Sequence, residues 1–408
     1  MTNSDIRIYN KLDFWLLLAY SLLPGIGKIV GQQMIMIGAL PIIIYLIFKY
    51  RYRIFFYKLD LIFIFFVCYL SLLTLIFIIF PYSNKIGVYM AVFLNILPMA
   101  GYIYSREISF ENFCIILLKI ILVHCVIAII LYPPFGITSS SSTIVKALTE
   151  GVAFGRMASV SGSLGFGNLI MTGMIVSFFL NKRFLPLIMF CWLFCGQRSA
   201  WLGAILGIFI VIFMGLKSGD ISSSLNRLII LLIGCILMFF LIDSILDIDL
   251  DFILGRLSEL GNATSERDEQ WIGGIDNFTK IPIGAGPGQV GQIASRYEGG
   301  GLMNLSLVPD GDFLRILSEY GIGGAVFYIS VIFLFFLSII LIKCDLKSRV
   351  LIGILGGNLI QMIGSNISEF YFTNFIYWMV IGYFFVIIKG KLIKSKYNNE
   401  NICMHGNI

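Results

Sequence analysis

Apolar runs long enough to cross a bilayer recur along this chain from Leu12 to Ile388, joined by polar stretches. A hydrocarbon core about 30 Å thick requires roughly 17–25 apolar residues per helix. Inside it, backbone N–H and C=O groups must be satisfied within the structure, because no water is there to take them. The expected fold is therefore an all-α polytopic membrane protein. The runs suggest about 12 helices, near 12–27, 29–48, 59–80, 86–104, 113–132, 164–180, 184–196, 199–216, 227–246, 313–342, 350–367 and 372–388. The first run has no small-residue cleavage site after it, so it reads as a retained helix rather than a removable signal. Composition agrees: 58% of residues are hydrophobic and 13% charged, against about 25% charged in soluble domains. No polar stretch is long enough for a separate soluble catalytic domain, so residues 1–408 read as a single integral membrane domain.

Orientation follows from charge. Most of the 29 Lys and Arg residues fall in the N-terminal segment, in alternate joints and in the C-terminal tail, for example Arg51, Arg106, Arg183, Lys217 and Arg349. Basic residues collect on the cytoplasmic side, which places both termini there. The net charge of +6 is accounted for by this topology and does not imply nucleic acid. The eight cysteines lie in or beside apolar runs or in the tail, and none shows metal-ligand spacing with histidine. His124 and His405 are the only histidines. Neither a metal nor a cofactor is expected.

Two polar segments face the opposite, extracytoplasmic side: a first outer loop, 132–163, and a large outer loop, 247–312. Loops carried by a rigid scaffold are where binding and catalytic groups concentrate. Arg156, Arg198, Arg267, Arg296 and Asp310 all fall on this side, where the orientation rule does not account for arginine. Its planar fork of donors suits phosphate oxygens. Arg198, in Gly196-Gln197-Arg198-Ser199-Ala200-Trp201-Leu202-Gly203, opens a helix, where free N–H groups and the helix dipole also favour an anion. It could equally be an interfacial arginine with Trp201 as a belt residue. Arg267 and Trp271 are spaced i, i+4, so a helix would set the guanidinium over the indole, although a solvated helix start gives the same pattern. Gly284-Ala285-Gly286-Pro287-Gly288 is a tight turn that loosely resembles a phosphate cradle but lacks the Gly-Lys-Ser/Thr ending. Arg296, in a Gly-rich stretch, reads as a loop charge. Asp310 and Asp312 precede a long helix and could cap it, or Asp310 could serve as general base to a hydroxyl. Arg315 and Glu319 are spaced to pair inside the bundle.

Taken in chain order, three elements resemble the O-antigen ligase / Wzy-type polymerase superfamily of bacterial surface polysaccharide enzymes. They are the Gly196–Gly203 stretch, Arg267 with Trp271 followed by Ile281-Pro282-Ile283-Gly284-Ala285-Gly286-Pro287-Gly288, and Asp310 through Gly324. The resemblance implies a membrane glycosyltransferase, glycosyltransferase C-like in architecture, with undecaprenyl-diphosphate-linked oligosaccharides as donor and acceptor. It implies that Arg198 and Arg267 hold the diphosphate without a metal; Arg156 is expected to assist them, and Trp271 and Gly286 to bind diphosphate or glycan. Asp310 would orient or deprotonate the acceptor hydroxyl. Ligases of this kind carry His-Asn where this chain has Asp310-Gly311, which favours a repeat-unit polymerase. Membrane lipids, a chain-length regulator and a flippase are the partners so implied. The rival readings are a ligase acting on a different acceptor and, from another class, a lipid-linked oligosaccharide flippase. For that role the in-membrane candidates are Lys119, His124, Asp243, Arg315 and Glu369.

Overall fold

The computed structural model describes residues 3–31, 33–50, 58–80, 83–132, 156–220, 264–296, 305–308, 310–341 and 345–405, with the single positions 226, 229 and 233. These residues are helical almost throughout, with one isolated bridge, Ser159 to Gly162, and no strand among them. In chain order the helices are α1 Asn3–Val30, α2 Gln33–Tyr50, α3 Asp60–Ile79, α4 Lys85–Ala91, α5 Ala100–Tyr104, α6 Phe110–Leu131, α7 Gly162–Leu180, α8 Leu185–Phe194 and α9 Arg198–Lys217. They continue as α10 Thr264–Lys280, α11 Gln292–Arg296, α12 Asp312–Leu341, α13 Leu346–Gly364 and α14 Tyr371–His405. Nine segments among the described residues are long and apolar enough to cross a membrane. The chain is a polytopic helical membrane protein.

One expectation needs correction. The segment expected as a helix over 184–196 forms a helix of only 10 residues, α8, about 15 Å long at 1.5 Å per residue. A 3₁₀ turn, Lys182–Phe184, and the irregular Cys195–Gln197 supply the rest of its length. The helix expected at 227–246 lies almost wholly outside the described residues, as does most of the first outer loop, 132–163; of the large outer loop, 247–312, residues 264–296, 305–308 and 310–312 are described.

One end of the bundle carries local ion pairs between helix termini. Lys49 meets Asp13 at 2.6 Å, Arg106 meets Asp60 at 2.5 Å, Lys347 meets Glu111 at 2.5 Å and Arg349 meets Asp220 at 3.0 Å. These are among the basic residues that set the orientation by charge. Arg156, Arg198 and Asp310 lie at the other end, called here the site end.

The centre of the bundle is closed by α7, α9, α13 and the first half of α14, which are largely buried. Helices α9 and α13 run antiparallel along a seam of small residues. A side chain at Gly203 would come within 2.8 Å of the Gly357 carbonyl, and one at Gly207 within 2.7 Å of the Gly353 carbonyl. Small residues at this spacing let helix backbones approach in a membrane, where there is no hydrophobic drive between helices. The register has a consequence: Arg198, five residues before Gly203, falls level with the last turn of α13.

The span Lys85–Tyr104 is broken. Between α4 and α5 it passes through a π turn, Val92–Ile96, and a 3₁₀ turn, Leu97–Met99, that contains Pro98. A π turn loosens the regular hydrogen-bond ladder, and Asn374 Nδ2 bonds the carbonyls of Leu94 and Asn95, both at 3.1 Å. The same nitrogen reaches Ser368 O at 2.8 Å, so the break is tied to the site end of the bundle.

Candidate functional site

Arg198 occupies the first position of α9, after a turn built to aim it. Gly196 adopts a φ of 62°, a conformation that glycine takes without Cβ strain. Two tryptophans brace the turn: Trp201 Nε1 donates to Trp192 O at 2.7 Å, and Trp192 Nε1 donates to Ala200 O at 3.3 Å. Trp201 is therefore a buried strut and not a belt residue. Gln197, just before Arg198, donates to Ser365 Oγ at 2.9 Å, and Ser199, just after it, shares a 2.8 Å hydroxyl contact with the same Ser365. Arg198 is half-buried between these two anchors.

Arg156 is brought to the same turn by its neighbour. Met157 N donates to Phe194 O at 2.8 Å, and Phe194 is the last residue of α8, four before Arg198. Among the described residues Arg156 forms no ion pair, and its buried Nε has no hydrogen-bond partner.

The chain next to Asp310 meets the same corner from the other side. A side chain at Gly311, next in the chain, would lie 3.0 Å from Ile363 O and 3.4 Å from Trp271 Nε1. Asp310 itself is half-buried. Trp271 Nε1 is buried without a hydrogen-bond partner among the described residues. The corner Ile363–Ser365, where α13 ends, thus meets Gln197 and Ser199, the two neighbours of Arg198, at Ser365, and Gly311, next to Asp310 and beside Trp271, at Ile363.

Beneath the corner lies a hub of buried charge. Arg315, fully buried, donates to Glu319 Oε2 at 2.6 Å and to Asp312 Oδ1 at 3.0 Å, and also to Ser368 Oγ. Asp312 accepts from Ser368 N at 2.8 Å. The expected i, i+4 pairing of Arg315 with Glu319 is present. Glu319 accepts from Val290 N at 3.3 Å and Gly291 N at 3.2 Å. Glu369 accepts from Gln292 N at 3.0 Å, Ile293 N at 3.3 Å and Asn366 Nδ2 at 2.7 Å. The hub therefore clasps the loop end 290–293 onto α12 and the 3₁₀ turn Ile367–Glu369. Gly291 is required there, since any side chain would run into Glu369 and Arg315. Three acids face one guanidinium, and burial pushes the Glu369 carboxyl up to about 7 against the pull of Arg315. Removing one partner of a buried pair of this kind costs about 3–5 kcal/mol.

The remaining expected site residues are placed as follows. Arg267 lies on α10, four residues before Trp271, with its side chain outside the described residues; so does that of Arg296, which ends α11. Gly286 is buried, donates its N–H to Glu319 O at 3.0 Å, and packs against the Phe77 ring. Ala285 N likewise goes to Ser318 O at 2.8 Å. The Gly284–Gly288 turn thus docks on α12 where Gly321, at φ 53° and ψ −141°, interrupts that helix. The residue directly ahead of α12 is Gly311, whose carbonyl accepts from Arg315 N at 3.1 Å.

Sequence reasoning missed Ser365, Asn366 and Ser368, and took Glu369 only as a transporter candidate. It also missed a buried amide trio in which Asn168 Nδ2 donates to Asn358 Oδ1 at 2.8 Å and to Gln361 Oε1 at 2.9 Å. The available signal was polarity within apolar helices: Asn358, Gln361 and Ser365 follow helical spacing on α13 and its end, and polar groups inside a membrane span are costly unless used. Among the described residues no group of three or more His, Cys, Asp or Glu side chains is placed to hold a metal ion.

The arrangement is that of a membrane protein whose polar end gathers arginine, a carboxylate and an indole around one helix corner, chemistry suited to an anionic group joined to a polar, ring-bearing one. Residues 184–329 match the family model described as O-antigen ligase. The chain carries this domain in its middle, consistent with the superfamily of O-antigen ligases and polymerases that its motifs resemble. No curated protein matches the chain.

Proposed function

We propose that this protein is a glycosyltransferase that takes glycan from an undecaprenyl-diphosphate carrier and passes it to a lipid-linked repeat unit, as a polysaccharide polymerase. The observation that carries the reading is the shared corner: Arg198 at a helix N-terminus, Arg156 beside the same turn, and Asp310 with Trp271 across Ile363–Ser365. Arg198 and Arg156, with Arg267 arriving on α10, offset the charge that develops on the departing diphosphate. Stabilisation of that kind is usually the largest catalytic contribution, and cationic side chains aimed at the leaving group supply it. Asp310 takes the acceptor hydroxyl proton, and Trp271 offers a ring face and an N–H to a sugar. The basic, ion-paired end is read as cytoplasmic, which puts the site on the extracytoplasmic face of the cytoplasmic membrane. A flippase would deliver repeats there, and a chain-length regulator would act on the product.

In a deletion strain complemented with variants expressed at the wild-type level, Arg198→Ala is expected to cut polymer formation by about 10²–10³-fold. Asp310→Asn is expected to abolish polymer while single-repeat product persists. Full-length ladders from Arg198→Ala would overturn the reading.

The description of the matching family favours a ligase as the second reading. The deletion strain separates the two: single repeats on carrier lipid mark a polymerase, whereas finished chains left on carrier lipid mark a ligase. A flippase has less support, because Arg315 and Glu369 are locked into the hub instead of lining a pathway through the membrane.

A further inference from the structure

His124 lies inside α6, two turns below its site end, and is fully buried. Both ring nitrogens meet hydroxyls: Nε2 lies 3.0 Å from Ser21 Oγ, and Nδ1 lies 2.8 Å from Ser159 Oγ. The direction of these bonds can be worked out. Ser21 Oγ gives its one proton to Leu18 O at 2.7 Å, so toward His124 it can only accept, and Nε2 carries the hydrogen. A neutral imidazole has one N–H, which leaves the Nδ1 lone pair to accept from Ser159. The chain Ser159, His124, Ser21, Leu18 O therefore runs one way, and both imidazole nitrogens are spent in it.

Ser159 is three residues after Arg156. The segment between them is fixed at two points, by Met157 N on Phe194 O and by Ser159 on His124, and it then turns into α7 through Gly162 N on Ser159 O at 2.9 Å. Met157 is fully buried between the two anchors. The first anchor is the helix end that leads into Arg198; the second is a ring deep in the bundle. We propose that His124 is a positioning residue for the diphosphate site: through Ser159 it holds the 156–161 segment down, so that Arg156 and Arg198 face one anion. This inference rests on the transferase reading given above.

The test uses full-length protein in nanodiscs and undecaprenyl diphosphate without glycan as the probe, with undecaprenol as the uncharged control. Arg156→Ala is expected to weaken diphosphate binding about tenfold, the equivalent of one charge-assisted hydrogen bond. Ser159→Ala and His124→Phe are expected to weaken it to a similar degree, while Ser159→Thr, which keeps the hydroxyl, binds as wild type. The deciding result is the double variant Arg156→Ala/Ser159→Ala, expected to bind no more weakly than Arg156→Ala alone, since both changes remove one interaction. A purely structural role for Ser159 would make the losses multiply. Multiplying losses, or wild-type binding by Ser159→Ala, would overturn the proposal; if His124→Phe fails to fold, the Ser159 variants decide. Wild-type protein that binds the diphosphate no better than undecaprenol would instead sink the transferase reading itself.

Discussion

Asp312, Glu319 and Glu369 face one guanidinium in the hub, and burial of the Glu369 carboxyl there disfavours its charged form. Glu369 is the group pushed upward, to about 7, whereas in the unfolded chain it returns to an ordinary value of about 4.3. Between those values the native state holds a proton that the unfolded state releases, so stability is highest at the acid end and falls as pH rises through about 7. Thermal unfolding of the detergent-solubilised protein between pH 5 and 8.5 should show this fall, and Glu369→Gln should flatten it. An unchanged slope in that variant would assign the titration elsewhere. Part of the hub was legible in the sequence, because Arg315 and Glu319 sit at helical spacing on one element. Glu369 was not, since it approaches from a different helix end far along the chain and nothing local marks its partner.

At the scale of elements, the α9–α13 seam sets the height of Arg198. Gly207→Val would force its side chain against the Gly353 carbonyl and the Ile175 side chain, and overpacking of this kind costs about 1–3 kcal/mol. Because the seam also sets the Arg198–Ser365 register, the variant should lose transfer activity as well as thermal stability. A variant destabilised to that extent but fully active per folded molecule would show that the register tolerates a shift. The long apolar helices were readable from residue pattern alone, because bilayer thickness and backbone satisfaction leave few alternatives. The shortness of α8 was not, since apolar residues continue through its irregular ends and periodicity cannot tell a ten-residue helix from a longer one. The break at Val92–Ile96 was also hidden, because Asn374, which satisfies it, comes from the last helix.

Across the whole molecule, the arginine turns were recognisable from chain order, while the Ile363–Ser365 corner that Gln197, Ser199 and Gly311 meet had to be seen in three dimensions. Arg156 precedes the segment matched by the family model, and Ser365, Ser368 and Glu369 follow it. The matched segment holds Arg198 and Asp310 but neither the first arginine nor the corner between them. It is therefore not expected to transplant as a module. A chimera that receives only residues 184–329 from a relative should insert in the membrane and make no glycan, whereas one that also takes 156–162 and 363–374 from the same donor should recover product. Recovery by the shorter graft would show that the flanking pieces are interchangeable. If they are not, these three stretches form one inherited unit written in three places: a change in any one of them alone would be selected against, and relatives should differ at all three together or at none.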